Sequence, residues 1–366
     1  MKNSSAVKAA KNGKPKRIIY YDILNIIACF CVVLLHHNGI VHDFSNDVFM
    51  QVGQEVWTQS LVVEVLAFFA VPIFLMLTGA TLMEYRKRYD TKTFFKKRLS
   101  RVLIPFVVWM VIFFLYDISE GIYDLFAMSI QDVVEVFMFN KMMGVFWFFP
   151  AIVSIYLAIP ILSLLTQPKN RKWLWYIAIV GGVLCGVIPA ICGMLGIEWN
   201  GAYNLPIVGG SGLLIYPILG YLLSTSKKIE NKWIIVLVVA SILCVVLRFV
   251  IMHFNTISAG ATDTSLSSYV YFTAVIPAVA IFLLAKKIPW DNFIKGKAVN
   301  AISKISACSL GIYLIHIFVM DQWQMLVGWE DTRLIWRTLG AVITYVICLL
   351  IVMVIKSGVI SRRLFP

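Results

Sequence analysis

Charge is what this sequence has least of. Charged residues fill 14% of its 366 positions while hydrophobic ones fill 60%, and its acids number only 19. Soluble domains carry about 25% charged residues, so a soluble globular class is excluded, and a mean hydropathy of +0.84 agrees. Paired cysteines are missing as well. Cys29, Cys31, Cys185, Cys192, Cys244, Cys308 and Cys348 all sit in apolar stretches, without metal-ligand spacing and with none in a polar segment. That excludes a zinc site or a disulfide framework. No small-residue cleavage site follows the first apolar stretch, so it is expected to stay as a retained helix and not to be a signal peptide. No internal repeat is evident, and no appended soluble domain is expected.

What is abundant is apolar sequence in runs suited to crossing a bilayer, which takes about 20 residues per helix. Ten runs stand out: 17–39, 57–83, 102–116, one beginning at 144, 174–194, 206–225, 233–252, 267–285, one carrying 309–320, and 336–355. They predict an all-α polytopic membrane protein of about ten transmembrane helices. Charge placement tests the assignment. The segments 1–17, 84–101, 168–172, 227–232, 286–304 and 356–366 hold 28 of the 32 Lys and Arg, leaving Lys141, Arg248, Arg333 and Arg337 elsewhere. Basic loops stay in the cytoplasm, so both termini are expected inside: a basic tail over 1–17, a transmembrane domain over 18–356 and a second tail over 357–366. The net charge of +13 is accounted for by this topology, and nucleic acid is not an expected partner. Residues 117–144, with five acids and one lysine, are expected outside, and their Asp-Val-Val-Glu-Val-Phe-Met-Phe portion suits a short interfacial helix.

The stretch 17–39 is unusual for a membrane helix because it carries Asp22, Asn25, His36 and His37. At 100° per residue Asp22, Asn25, Cys29 and His36 share one face, while His37 points away from it. Polar groups at such depth normally face protein or a water-filled cavity and mark a pathway or reaction site. The other reading puts Asp22 in the inner headgroup layer and the His pair in the outer one. Glu64 and Arg248 are two more charges inside apolar spans.

Arg17, Asp22, Asn25, the pair Ile27-Ala28 and His36 form a frame that resembles the opening of the acyltransferase-3 family of membrane O-acyltransferases. Further resemblance runs through Ala70-Val71-Pro72-Ile73-Phe74 with Thr78-Gly79, the basic run Lys96 to Pro105, Trp147 with Tyr156 and Pro160, and Gly311-Ile312-Tyr313-Leu314-Ile315-His316. Two positions depart from the family pattern. Asn25 stands where the family has Arg, and a second Arg often found ahead of the Val-Pro pair is replaced within Phe68-Phe69; an amide hydrogen-bonds but cannot form a bidentate charged clamp.

The resemblance implies transfer of an acyl group, usually acetyl, from cytoplasmic acyl-coenzyme A to a hydroxyl of an extracytoplasmic cell-envelope glycan or glycolipid, in a bacterial inner or plasma membrane. Acyl-CoA is then a co-substrate, with no permanently bound cofactor and no metal. His36 becomes the general base, since an imidazole of pKa about 6.5 takes a hydroxyl proton near neutrality. Glu64 is its candidate carboxylate partner, with an ion pair to Arg248 as the competing assignment. Asp22 lies about 21 Å along the helix from His36, and so belongs to the cytoplasmic mouth with Arg17. Lys96, Lys97, Arg98 and Arg101 supply charge for the coenzyme phosphates, and Asn25 lies along the thioester's route. His37, Trp147, Tyr156 and His316 are candidate acceptor contacts, against plainer readings as headgroup, aromatic-belt or core residues. Two other classes compete: a transporter or flippase with helices broken at Pro72, Pro150, Pro189 and Pro277, and an acyltransferase-like binder without catalysis. A polar stripe together with a basic loop beside the Val71-Pro72 span fits a donor entering from inside.

Overall fold

A computed structural model describes residues 17–358 apart from 44, 46, 140, 142, 200, 202–211 and 228; nearly all of both expected tails, and the first residues, 206–211, of the expected span 206–225, lie outside the described residues. All regular structure among the described residues is helical. The main helices are α1 (Ile19–His36), α2 (Val48–Ala67), α3 (Ala70–Leu82), α4 (Thr91–Ser119), α5 (Ile130–Met138), α6 (Phe148–Leu162), α7 (Arg171–Gly182), α8 (Ile188–Met194), α9 (Ile215–Ser224), α10 (Asn231–Ala259), α11 (Phe272–Lys287), α12 (Lys297–Ser306), α13 (Ser309–Val327) and α14 (Ala341–Ser357).

The first span is the centre of the bundle. Leu24, Ala28, Val32 and Leu35 are buried along one side of α1, at helical spacing. Around it pack α2, α3, α11, α12, α13 and α14. By contrast α10 presents Ile235, Val239, Ile242, Leu243 and Val246 outward, exposed, and turns Arg248, Met252 and Thr256 inward. An exposed apolar face of that extent is unfavourable in water and stable only in hydrocarbon.

Among the described residues eight helical segments are long and apolar enough to cross a membrane: 19–36, 48–87, 91–119, 144–166, 171–194, 231–259, 309–327 and 336–357. The two expected spans that fall short are represented by α9, ten residues long, and α11, sixteen residues long. Nearly every side chain of α9 is buried against its neighbours, so it is an inner element of the bundle.

The expected second span is two helices. The chain leaves α helix at Phe68 and Phe69, because Pro72 has no N–H to offer the carbonyl four residues before it. Gly79 serves a close approach between helices. A methyl group there would overlap the carbonyl oxygen of Pro217, and one on Gly220 would overlap that of Met76. The two glycines let α3 and α9 cross with their backbones in contact, as small residues do between membrane helices. The basic run 96–101 is helical: α4 starts at Asp90, whose carboxylate accepts from the Thr93 amide at 2.9 Å, and continues through Pro105. The expected interfacial helix is α5, opened by a capping box in which the Ser129 hydroxyl and the Asp132 carboxylate each accept from the other's amide. Its Ile130, Val134 and Met138 are exposed on one face.

Gly79→Ala or Gly220→Ala should destabilise the protein by about 1–3 kcal/mol or more, because backbone stands where the methyl must go. Gly182→Ala, with nothing within 4 Å of its added carbon, should leave stability unchanged or slightly raised. Thermal unfolding of the detergent-solubilised protein distinguishes the three; equal melting temperatures would refute the close crossing.

Candidate functional site

At the basic end of the bundle a cavity of about 510 Å³ runs upward along α1. Its mouth holds Arg17, Asp22, Arg98 and Arg101, its middle Asn25, Thr78 and Ser309, and its upper end Val32, Phe148, Phe149 and Tyr313. This order follows from the helix directions. α1, α4 and α13 rise from the basic end, and α3 and α6 descend to it.

The mouth is held by charge. The Arg17 guanidinium donates to both Asp22 oxygens, at 2.5 and 2.8 Å, the fork geometry in which an Arg–carboxylate pair is strongest. Arg98 reaches only the Tyr89 hydroxyl, at 3.5 Å, and its Nε is buried without a hydrogen-bond partner. Arg101 makes no hydrogen bond or ion pair among the described residues and lines the cavity. Tyr156 lines the same wall. Lys97 does not: its ammonium lies 4.6 Å above the Tyr89 ring. Deeper in, the Asn25 amide donates to the Ser306 carbonyl at 2.8 Å and to the Ser309 hydroxyl at 2.9 Å. Asn25 thereby ties α1 to the α12–α13 junction, and both of its N–H groups are engaged.

Above the cavity stand three imidazoles. His36 lies one turn beyond Val32 on α1, with its ring centroid 4.9 Å from that of His42 and 5.1 Å from that of His316. The link to the cavity is Tyr313, which lines its upper end and whose ring centroid is 5.6 Å from that of His316. The Tyr313 hydroxyl donates to the Val145 carbonyl. His316 Nδ1 lies 2.7 Å from the Tyr313 carbonyl, an acceptor only, so Nδ1 carries the proton. Nε2 is then a bare lone pair, buried and without a partner. His36 is part-exposed and has no hydrogen-bond partner among the described residues. Two adjacent imidazoles thus keep free nitrogens in one place.

Behind His42 the charge is anchored. Its Nδ1 is 3.0 Å from Glu64 Oε2, and the other oxygen of Glu64 accepts from Arg248 at 3.3 Å. Arg248 lies 3.4 Å over the Phe68 ring, and Phe68 stacks on Tyr269 at 4.2 Å. Glu64 and Arg248 are both buried. Burial opposes charge on His42, but the Glu64 carboxylate and its hydrogen bond outweigh it and raise the imidazole above its ordinary range. Beside it, burial raises the Asp43 carboxyl.

Of the residues singled out from sequence, Arg17, Asp22, Asn25, Arg98, Arg101 and Tyr156 meet around the lower cavity, and His36 and His316 meet above it. Glu64 reaches His42 and Arg248, not His36. His37 faces elsewhere: buried, 2.7 Å from the Thr344 hydroxyl and against the Trp336 ring. Trp147 is exposed and stacks on Tyr269 at 5.7 Å. Sequence reasoning missed His42, Tyr313, Ser306 and Ser309. His42 lies between the first two expected spans, and the helical turn Gly39–His42 folds it back toward His36. Tyr313 stood within a quoted motif, three residues from His316. Among the described residues no His, Cys, Asp and Glu group is arranged to hold a metal ion.

In comparisons with known proteins, the profile of a family described as an acyltransferase domain, acyltransferase-3, matches residues 18–354. No curated protein and no solved structure matches the chain.

Arg248→Met should cost about 3–5 kcal/mol by leaving the buried Glu64 carboxylate short of a partner. Pairing Arg248→Met with Glu64→Gln should cost less than the sum of the single changes. The His42–Glu64 bond should be pH-dependent with a definite sign. Because the folded His42 pKa is raised above the ordinary 6.5, the stabilisation is complete below about pH 6.5 and is lost as pH rises through the folded value. The melting-temperature gap between wild type and His42→Gln should therefore narrow from pH 6 to pH 9; a gap that widens contradicts the pairing.

Proposed function

The chain belongs to the acyltransferase-3 family and is a membrane acyltransferase, and from that premise we propose that it moves an acetyl or other short acyl group from acyl-CoA to a hydroxyl of a cell-envelope glycan or glycolipid. The observation that carries this reading is the cavity itself. It opens among guanidinium groups at one end of α1 and closes one helical turn below two imidazoles with free nitrogens. In this reading the basic end faces the cytoplasm of a bacterial cell, and the acceptor approaches His36 from the other side of the membrane.

Each part has a task. Arg98 and Arg101, with unspent donors, suit the coenzyme phosphates, which charge-assisted bonds from guanidinium recognise well. The chain of the coenzyme then passes Asn25 and Thr78 toward the aromatic upper end. Because the amide donors of Asn25 are engaged by Ser306 and Ser309, they do not serve the thioester oxygen. At the top, His36 takes the proton from the acceptor hydroxyl as its oxygen attacks the thioester carbon. A C–O bond forms, the C–S bond breaks, and the imidazolium returns the proton to the departing thiolate. A transporter reading lacks comparable support, since the family match takes in nearly all of the transmembrane region.

His36→Ala should reduce ester-linked acyl groups on purified envelope polymers by about 10²-fold or more relative to wild type in the native host. Arg98→Gln and Arg101→Gln should each raise the KM for acetyl-CoA about tenfold, with a smaller effect on kcat. Equal acylation in wild type and His36→Ala would sink the proposal.

A further inference from the structure

Acyl transfer by His36 leaves one feature of the site without a purpose: a third imidazole, tethered to the buried Glu64–Arg248 pair. His36 itself makes no hydrogen bond there, so nothing but ring packing sets its plane. One of the two packing rings, His316, is held through Nδ1 by the Tyr313 carbonyl. The other, His42, meets His36 at 82°, edge against face, with centroids 4.9 Å apart. His42 is immobilised in turn by Glu64, and Glu64 by Arg248, so four separate stretches of chain converge on the orientation of one base.

We propose that His42 is the positioning residue of His36: anchored on Glu64, it fixes the His36 ring and places a positive charge at it, so that His36 is kept as the unprotonated base. This rests on the reading of His36 as the base of acyl transfer. A carboxylate 3.0 Å from Nδ1 favours the imidazolium form of His42. A cation about 5 Å away then disfavours a second one on His36, where few solvent dipoles are available to screen it. Among the described residues the charged and titratable groups facing the pair are Glu64 on α2, Arg248 on α10, His316 on α13, Asp43 next to His42 and His37 just past the end of α1. Arg248 acts in the same direction as His42; the Glu64 carboxylate, which lies behind His42, and Asp43 oppose it.

The experiment is a pH profile of acyl transfer, read as label from radioactive acetyl-CoA entering the envelope fraction of inverted membrane vesicles containing the full-length protein. His42→Gln should lower kcat and move the acid limb of the profile upward by on the order of one pH unit. Glu64→Gln, which preserves shape, should move it the same way, and serves if His42→Gln fails to fold by size-exclusion chromatography in detergent. His42→Lys, which keeps a cation beside Glu64, should hold the limb near its wild-type position. A His42→Gln or Glu64→Gln protein that loses rate with its acid limb unmoved overturns the proposal, as does a His42→Lys profile indistinguishable from that of His42→Gln. If His36→Ala is inactive while those limbs stay still, only the positioning role falls. If His36→Ala transfers acetyl at the wild-type rate, the underlying assignment of the base falls first.

Discussion

A polar group inside hydrocarbon must find a protein partner or lose several kcal/mol, and α1 is arranged around that requirement. Asp22 is clamped by Arg17. Asn25 is bonded to Ser306 and Ser309, and the Cys29 thiol lies 3.6 Å from the Ser309 carbonyl. His37 meets Thr344, and the Asn38 amide just beyond α1 donates to the Ser60 carbonyl at 2.6 Å. Apart from the local Arg17–Asp22 pair, each of these bonds also ties α1 or the residues just after it to another part of the chain, from Ser60 to Thr344. The same interactions that make the polar stripe tolerable are therefore what hold the bundle around it. His36 is the exception among them: its imidazole makes no hydrogen bond among the described residues.

The Glu64–Arg248 pair shows the same constraint at higher cost. Taking two ions out of water is seldom repaid in full by their attraction, and an apolar pair of equal volume is often as stable. Here the second carboxylate oxygen is not idle: it holds His42. The guanidinium is covered by Phe68 and the ring of Tyr269 lies behind it, so α2, α10 and the segment before α11 meet at one electrostatic knot. Its position fits specification of geometry better than a contribution to net stability.

Much of this was legible in the sequence because it depends on periodicity and on charge asymmetry. The membrane class follows from the apolar runs, the polar face of α1 from 100° spacing, and α5 from its alternation of apolar and charged residues. What was not legible depends on partners far away in the chain. Nothing near Gly79 tells that it answers Pro217, and nothing near Asn25 that its partners lie some 281 and 284 residues on. His42 was lost for a related reason. A six-residue offset from His36 on one continuous helix would place it far around and above, and only the turn at His37 and Asn38 brings it back. The break before Pro72 was anticipated in kind, because proline removes a donor wherever it sits, whereas the glycine seven residues later admits two explanations that only a neighbouring helix can separate.

The amide at position 25 is the place where local chemistry and family pattern diverge. An arginine there would carry its charge several ångströms beyond the Ser306–Ser309 ledge, into the middle of the cavity, and would need a carboxylate or a bound anion to stay desolvated. Asparagine is short enough to satisfy itself on that ledge. The middle of the cavity is then neutral, and its cations are confined to the mouth, at Arg17, Arg98 and Arg101. Of these Arg17 is already neutralised by Asp22, which leaves two guanidiniums for an incoming anion. In the proposed reaction, a donor held in such a space would be gripped by its phosphates at the entrance and by apolar and aromatic surface near the reacting end, and precision at the thioester would come from the walls around Tyr313 and from the ring of His36.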